Sequence, residues 1–106
     1  MNDVEMLISK LVKISDTDLS LKEVKNLYLN RCKHKTRIDT YNYYKKHLKT
    51  IVQYLDNIEI KYVSQINNKA LYRFIEFEKI KGLKNNTINK RLGTLKQALT
   101  YCEKQD

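Results

Sequence analysis

The chain has 106 residues, a net charge of +9, no proline and only two glycines. This length suits one domain with a single modest core, and so few turn residues disfavour strand-rich folds. No apolar run approaches the roughly 20 residues of a membrane span, and the N-terminus lacks a signal-peptide pattern. A cytoplasmic protein built from long helices is therefore expected.

The positive charge is unevenly distributed along the chain. Residues 1–20 hold two lysines and four acids, so the remaining residues carry a net charge of +11. Such an excess favours polyanions as partners. An anionic membrane is the weaker candidate, because no predicted helix has an exposed Trp, Phe or Leu face.

The first predicted element is a short amphipathic helix within residues 3–14. Its apolar residues recur at helical spacing: Val4, Leu7, Ile8, Leu11 and Val12. Polar residues 15–18 follow, so we predict an N-terminal helix and linker over residues 1–19, before a domain over residues 20–106. The acidic balance of the first segment makes it a poor DNA contact.

Two further helices are predicted, from Ser20 to about Lys33 and from Thr36 or Arg37 to about Leu55. Ser20 and Glu23 form a capping box at the start of the first. The second has an apolar stripe that predicts the buried face: Tyr41, Tyr44, Leu48, Ile51, Val52 and Leu55. Its other side carries a polar and basic stripe: Asn42, Lys45, Lys46, Lys49 and Gln53.

Residues 57–66 are predicted to form an extended connector that packs Tyr62, Val63 and Ile66 onto the core. Asn67 then caps the next helix, which runs to about Lys81. Leu71, Phe74, Ile75 and Glu78 lie on one face of that helix. We expect Gly82 to end it in the left-handed conformation, with Leu83 packing back on it.

The last predicted helix starts at a cap on Asn85 or Asn86 and runs to Cys102. Its apolar stripe has steps of four and three residues: Ile88, Leu92, Leu95, Leu99 and Cys102. The other faces are polar or basic, with no acid before Glu103: Thr87, Asn89, Lys90, Arg91, Thr94 and Lys96. Such a helix is a candidate for lying against phosphate, although a solvated face is the default explanation of a single charge run.

Two segments carry a family resemblance. Residues 82–96, Gly-Leu-Lys-Asn-Asn-Thr-Ile-Asn-Lys-Arg-Leu-Gly-Thr-Leu-Lys, resemble the last helix of the core-binding domain of tyrosine recombinases, the phage-type integrases. The spacing of Thr40, Tyr44, Leu48, Ile51-Val52 and Leu55 is similar to the helix that opens most such domains, with Ile51 where an aromatic residue is commoner. The resemblance covers about residues 20–104.

This resemblance implies an all-α fold, a compact bundle of four core helices in two crossed helical hairpins, with the N-terminal helix added. It implies a bacterial or phage-encoded module that grips one face of a recombination site in double-stranded DNA. The catalytic domain of the parent recombinase, which would complete the clamp, and other recombinase protomers are the implied protein partners. The implied DNA contacts are Asn42, Lys45, Lys46, Lys49, Gln53, Lys84, Asn86, Thr87, Asn89, Lys90, Arg91 and Lys96, with Asn89 and Arg91 favoured as base readers.

No catalytic constellation is recognisable, so the chain is expected not to be an enzyme and to need no cofactor. His34 and Arg37 match the His-x-x-Arg spacing of the family's catalytic domain, but they precede the core-binding helices and lack companion residues. A zinc site at Cys32, His34, His47 and Cys102 is disfavoured because paired ligand spacing is missing. We interpret the cysteines as core residues and the histidines as surface residues.

Two alternatives to a DNA-binding module remain from the sequence. One is a small basic helical adaptor for an acidic protein partner. The other is an RNA-binding module, which is disfavoured because the sequence shows no exposed aromatic platform.

Overall fold

The computed structural model describes residues 19–105. Within this range α1 spans Leu21–Lys35, α2 Ile38–Asn57, α3 Asn68–Ile80 and α4 Asn85–Gln105, with one 3-10 turn at Val63–Gln65. No β-strand occurs in the described range, so the predicted all-α bundle of four core helices is confirmed. The helix predicted within residues 3–14 lies outside the described residues.

Local side-chain caps fix the starts of two helices as predicted. The Ser20 hydroxyl accepts a hydrogen bond from the Glu23 amide at 3.1 Å, and the Ser20 amide donates to the Glu23 carboxylate at 3.4 Å. The Asn67 side-chain oxygen accepts from the Ala70 amide at 2.9 Å. These bonds satisfy amides that have no partner inside the helix, so both starts are specified by neighbouring residues.

The turn between α3 and α4 depends on Gly82, whose φ is +88°. The Gly82 amide donates to the Lys79 carbonyl at 2.9 Å, and the Leu83 amide donates to the Glu78 carbonyl at 3.1 Å. This left-handed ending is the one predicted. The predicted cap at Asn85 or Asn86 is wrong, because the Ile88 amide already bonds to the Lys84 carbonyl and both asparagines lie inside α4.

Substitution of the two glycines by alanine should change stability in opposite directions. Gly82→Ala places a Cβ in the left-handed region and should lower the free energy of unfolding by about 1–2 kcal/mol. Gly93→Ala lies in α4, where nothing is within 4 Å of the added Cβ, and should raise it by about 0.5–1 kcal/mol. Urea unfolding measures the free energy of unfolding of both variants. A change of the same sign and size in both would contradict this explanation from backbone conformation.

The core forms where the inner stripes of the four helices meet. α2 and α4 pack against each other, α1 packs on both, and α3 covers their remaining side. The largest fully buried side chains come from all four helices: Phe74, Leu21, Leu48, Ile51, Leu55, Leu71, Ile88, Leu92, Leu95 and Leu99. This packing turns the polar stripe of α2 outward, whereas Arg91 and Thr94 on the predicted polar face of α4 are buried.

The connector between α2 and α3 differs from the prediction at one residue. Val63 and Ile66 are buried as expected, but Tyr62 is 49% exposed. Tyr62 caps the 3-10 turn, where its amide donates to the Gln65 side-chain oxygen at 3.0 Å, and its backbone pairs with Ser20 in an isolated bridge. The backbone of Tyr62 is thus fixed while its ring points outward.

In the described part of the chain, no helix has the length and apolarity of a membrane span.

Candidate nucleic-acid interface

The outer face of α2 carries the polar stripe that the sequence predicts. All five of its residues are exposed: Asn42, Lys45, Lys46, Lys49 and Gln53. No acid lies between Asp39, at the start of the helix, and Asp56 near its end. The face therefore presents three cations without a carboxylate on the intervening turns. Such a charge pattern favours binding to a phosphate backbone.

The predicted contact residues on and next to α4 divide into three groups by burial. Lys84, Asn86 and Lys90 are exposed, whereas Thr87, Asn89 and Lys96 are half-buried. The side-chain oxygen of Asn89 is buried and has no hydrogen-bond partner among the described residues. Arg91 is buried. The first half of α4 thus offers a narrower basic surface than the sequence predicts.

Arg91 corrects the prediction of a wholly basic outer face. Its guanidinium donates through Nη1 to Glu78 Oε1 on α3, and through Nε to His47 Nδ1 on α2 at 3.4 Å. Arg91 follows Ile88 by three residues and flanks the core stripe of α4, so one turn of the helix brings it towards α3. Its expected outward position is wrong because a buried carboxylate draws the side chain inward.

Glu78 is the residue that sequence reasoning failed to use. It is fully buried, and it lies on the same face of α3 as Leu71 and Phe74. A buried carboxylate requires a cationic partner, so an acid on an apolar stripe is itself the signal of a buried Arg or Lys. Its second oxygen lies 3.6 Å from Lys81 Nζ, which places a second cation beside the carboxylate.

His47, expected at the surface, is buried beside Arg91. The ring of Tyr43 meets the imidazole edge to face at a centroid distance of 4.4 Å. Burial lowers the pKa of His47, and the charges of Arg91, Lys46 and Lys90 lower it further, while Glu78 opposes them. The imidazole is therefore neutral at pH 7, with Nδ1 as the acceptor of the Arg91 hydrogen bond.

His47 also marks where the two polar stripes adjoin. Lys46 of the α2 stripe directly precedes His47, and Lys90 of α4 directly precedes Arg91. The Arg91 Nε donates to His47 Nδ1 at 3.4 Å, so these two turns of α2 and α4 are in contact. Lys46 and Lys90 are exposed on these neighbouring turns.

The depressed pKa of His47 predicts a loss of stability in mild acid. The unfolded chain binds a proton near the ordinary value of 6.5, whereas the folded chain resists it, so unfolding free energy should fall as pH drops below about 6.5. Protonation would put a cation against Arg91, Lys46 and Lys90, with only Glu78 to offset it.

Urea unfolding at several pH values measures this effect, and His47→Gln should flatten the dependence. His34→Gln is the matched control, because His34 is exposed at the end of α1. If the two variants have the same pH profile, the titration of His47 does not control stability in this range.

Lys96 lies in a different environment from the other predicted contacts. It lines a cleft of about 500 Å³ between α1 and α4, together with Tyr28, Arg31, Tyr44, Gln97, Thr100 and Tyr101. The Tyr28 hydroxyl donates to Gln97 at 3.2 Å, and the Arg31 guanidinium lies 5.0 Å from the centre of the Tyr101 ring. None of the residues in the polar stripe of α2 lines this cleft.

The residues considered for zinc or for catalysis are dispersed. Cys32 and Cys102 are buried core residues, as predicted, whereas His34 and Arg37 are exposed where α1 meets α2. Among the described residues, no three or more His, Cys, Asp or Glu side chains are grouped so that they could hold a metal ion.

Comparison with family models gives a match over the whole described range. The model of the family described as phage integrase, N-terminal SAM-like domain, matches residues 19–105. No catalytic domain is matched in the chain. Neither the curated proteins nor the solved structures gave a significant match.

Proposed function

We propose that this chain, which belongs to the phage integrase N-terminal SAM-like domain family, binds double-stranded DNA through the outer face of α2 and the first half of α4. Membership of the family points to a role in site-specific integration and recombination. Within that role, the domain would grip one face of the recombination site.

One observation carries this proposal. His47 on α2 contacts Arg91 on α4, and these residues directly follow Lys46 and Lys90, so the two polar stripes adjoin. The exposed cations of this surface have no acid within their own stretches of sequence, from Thr40 to Leu55 and from Lys79 to Cys102. A continuous cationic surface of this kind supports binding to a phosphate backbone.

The residues of the surface suit different parts of a duplex. Lysines supply phosphate contacts, and in this assignment they are Lys45, Lys46, Lys49, Lys84 and Lys90. Lys96 lines the cleft beside α1 and is left out of the surface. Thr87 and the first amides of α4 add neutral donors to phosphate at a helix N-terminus. Asn42, Gln53 and Asn86 carry exposed amides that can donate to and accept from base edges.

Arg91 takes a different role from the base reading expected of it. Its guanidinium is occupied by Glu78 and His47, so it is a positioning residue that holds α4 against α2 and α3. The assignment of Asn89 to base reading rests on the family resemblance alone, because its side-chain oxygen is buried within the domain.

The proposed protein partners follow from the family resemblance, in which this domain forms one half of a clamp around DNA. The catalytic domain of the parent recombinase would hold the opposite face of the duplex, and further protomers would occupy neighbouring parts of the site. A domain that supplies half of a clamp binds more weakly alone than within the whole recombinase.

Amide chemical-shift mapping tests the location of the surface. On addition of a short DNA duplex, signals from the outer face of α2 and the first half of α4 should shift, and those around Lys69 and Arg73 on α3 should stay. Shifts produced by an acidic peptide but not by the duplex would support the adaptor alternative and refute the proposal.

A further inference from the structure

We propose that the groove between α1 and α2 is a second phosphate-binding surface, which takes the sugar–phosphate backbone of the same DNA duplex. This inference rests on the proposed function and extends it to a helix that the sequence does not implicate. It assigns DNA contacts to Lys25, Asn26, Asn30 and Lys33.

The groove is lined by groups that bind phosphate. Its volume is about 350 Å³, and α1 contributes Lys25, Asn26, Leu29, Asn30 and Lys33 to its wall. The opposite wall comes from α2 and consists of Tyr41, Lys45 and Lys49. Lysine ammonium and asparagine amide groups are regular phosphate donors at protein–DNA interfaces.

The four lysines of the groove have no counter-charge of their own. No acid lines the groove, and none of the four lies within 4.0 Å of a carboxylate oxygen among the described residues. Lys45 instead lies 6.0 Å from the centre of the Tyr41 ring. Lysines that lie close together, as these four do, repel one another, and a bound polyanion removes that repulsion. A single surface lysine has no such repulsion to offset.

The groove is continuous with the proposed interface. Lys45 and Lys49 belong to the exposed stripe of α2 and also line this groove. Lys49 further borders the groove on the other side of α2, beside Gln53 and Lys81. A duplex lying on the outer face of α2 would therefore bring one of its strands over Lys25 and Lys33.

The spacing along α1 fits a strand of DNA. Lys25 and Lys33 are eight residues apart, which corresponds to about 12 Å along a helix. Each nucleotide of one strand advances about 3.4 Å along the duplex axis, so the two lysines span roughly three to four nucleotides. The chemistry of Lys25 and Lys33 is that of backbone contacts, which position a protein without reading sequence.

The test is the salt dependence of duplex binding by the full chain carrying Lys25→Gln and Lys33→Gln. Because this pair removes two cations that would neutralise phosphates, the slope of log affinity against log salt should become shallower by about 2, and affinity should fall roughly 10- to 100-fold near physiological salt. The charge-preserving pair Lys25→Arg and Lys33→Arg should keep both values near those of the unaltered chain. The matched control is Lys22→Gln with Lys69→Gln, two exposed lysines outside the groove.

The outcomes separate this inference from the function on which it rests. A weakening of binding confined to the Lys25 and Lys33 glutamine pair supports the groove. If the unaltered chain binds DNA and this pair behaves like the control pair, the groove assignment is refuted and the proposed function stands. If the unaltered chain binds an acidic protein or RNA and not duplex DNA, both are refuted.

Discussion

Replacing Arg91 with methionine should lower the free energy of unfolding by about 3–5 kcal/mol. Methionine keeps much of the side-chain volume but removes the cation that lies against fully buried Glu78. The carboxylate then keeps only Lys81, at 3.6 Å and half exposed to solvent. A buried charge without its hydrogen-bonded partner is among the most destabilising changes that one substitution produces.

The control for this prediction removes both partners. Glu78→Met combined with Arg91→Met leaves no buried charge and should recover most of the lost stability, because apolar residues of similar volume often replace a buried ion pair without loss. Urea unfolding of the two variants measures the difference. If Arg91→Met unfolds as the unaltered chain does, Arg91 is not held in the interior by Glu78, and its assignment as a DNA contact regains support.

Neutralising three lysines of the proposed interface should abolish most DNA binding without unfolding the domain. With Lys46, Lys49 and Lys90 changed to glutamine, the salt slope should become shallower by about 3 and affinity should fall roughly 100- to 1000-fold near physiological salt. All three side chains are exposed, so the helical circular dichroism signal should be unchanged. Fluorescence anisotropy with a labelled duplex measures the slope and the affinity.

A matched triple variant shows whether position matters or only net charge. Lys22, Lys69 and Lys79 are also exposed but lie outside the contact set, and their change to glutamine lowers net charge by the same amount. This control should lose far less affinity. Equal losses in the two variants would mean that the whole positive surface attracts DNA without a defined interface.

The helix ends are predictable from the sequence because they depend on neighbouring residues. Ser20 with Glu23, Asn67 with Ala70, and Gly82 each act within three residues, so their patterns are visible without the fold. The apolar stripes likewise predict the buried faces, since helical period alone decides which residues share a side. The family resemblance adds the expectation that the four helices form one compact bundle.

The environment of Arg91 is not predictable in the same way. Its partners are distant in sequence, with Glu78 thirteen positions away and His47 forty-four. The helical period places Arg91 beside the core stripe, where a side chain can point inward or outward. Its direction depends on whether the adjacent helices supply hydrogen-bond acceptors for the guanidinium, as Glu78 and His47 do. The same holds for His47, whose burial results from the approach of α4. Only Glu78, an acid on an apolar stripe, indicates in the sequence that a cation is buried nearby.

The measurement that tests the DNA-binding account most directly is fluorescence anisotropy of the unaltered chain on a random duplex of about 25 base pairs across a salt series. If about 4–6 phosphates are contacted, log affinity should fall with log salt at a slope of about −4 to −5. That result would establish a polyanion-binding surface on this integrase domain. Little or no binding at low salt would contradict the account and would leave an acidic protein as the better partner for the cations of α2 and α4.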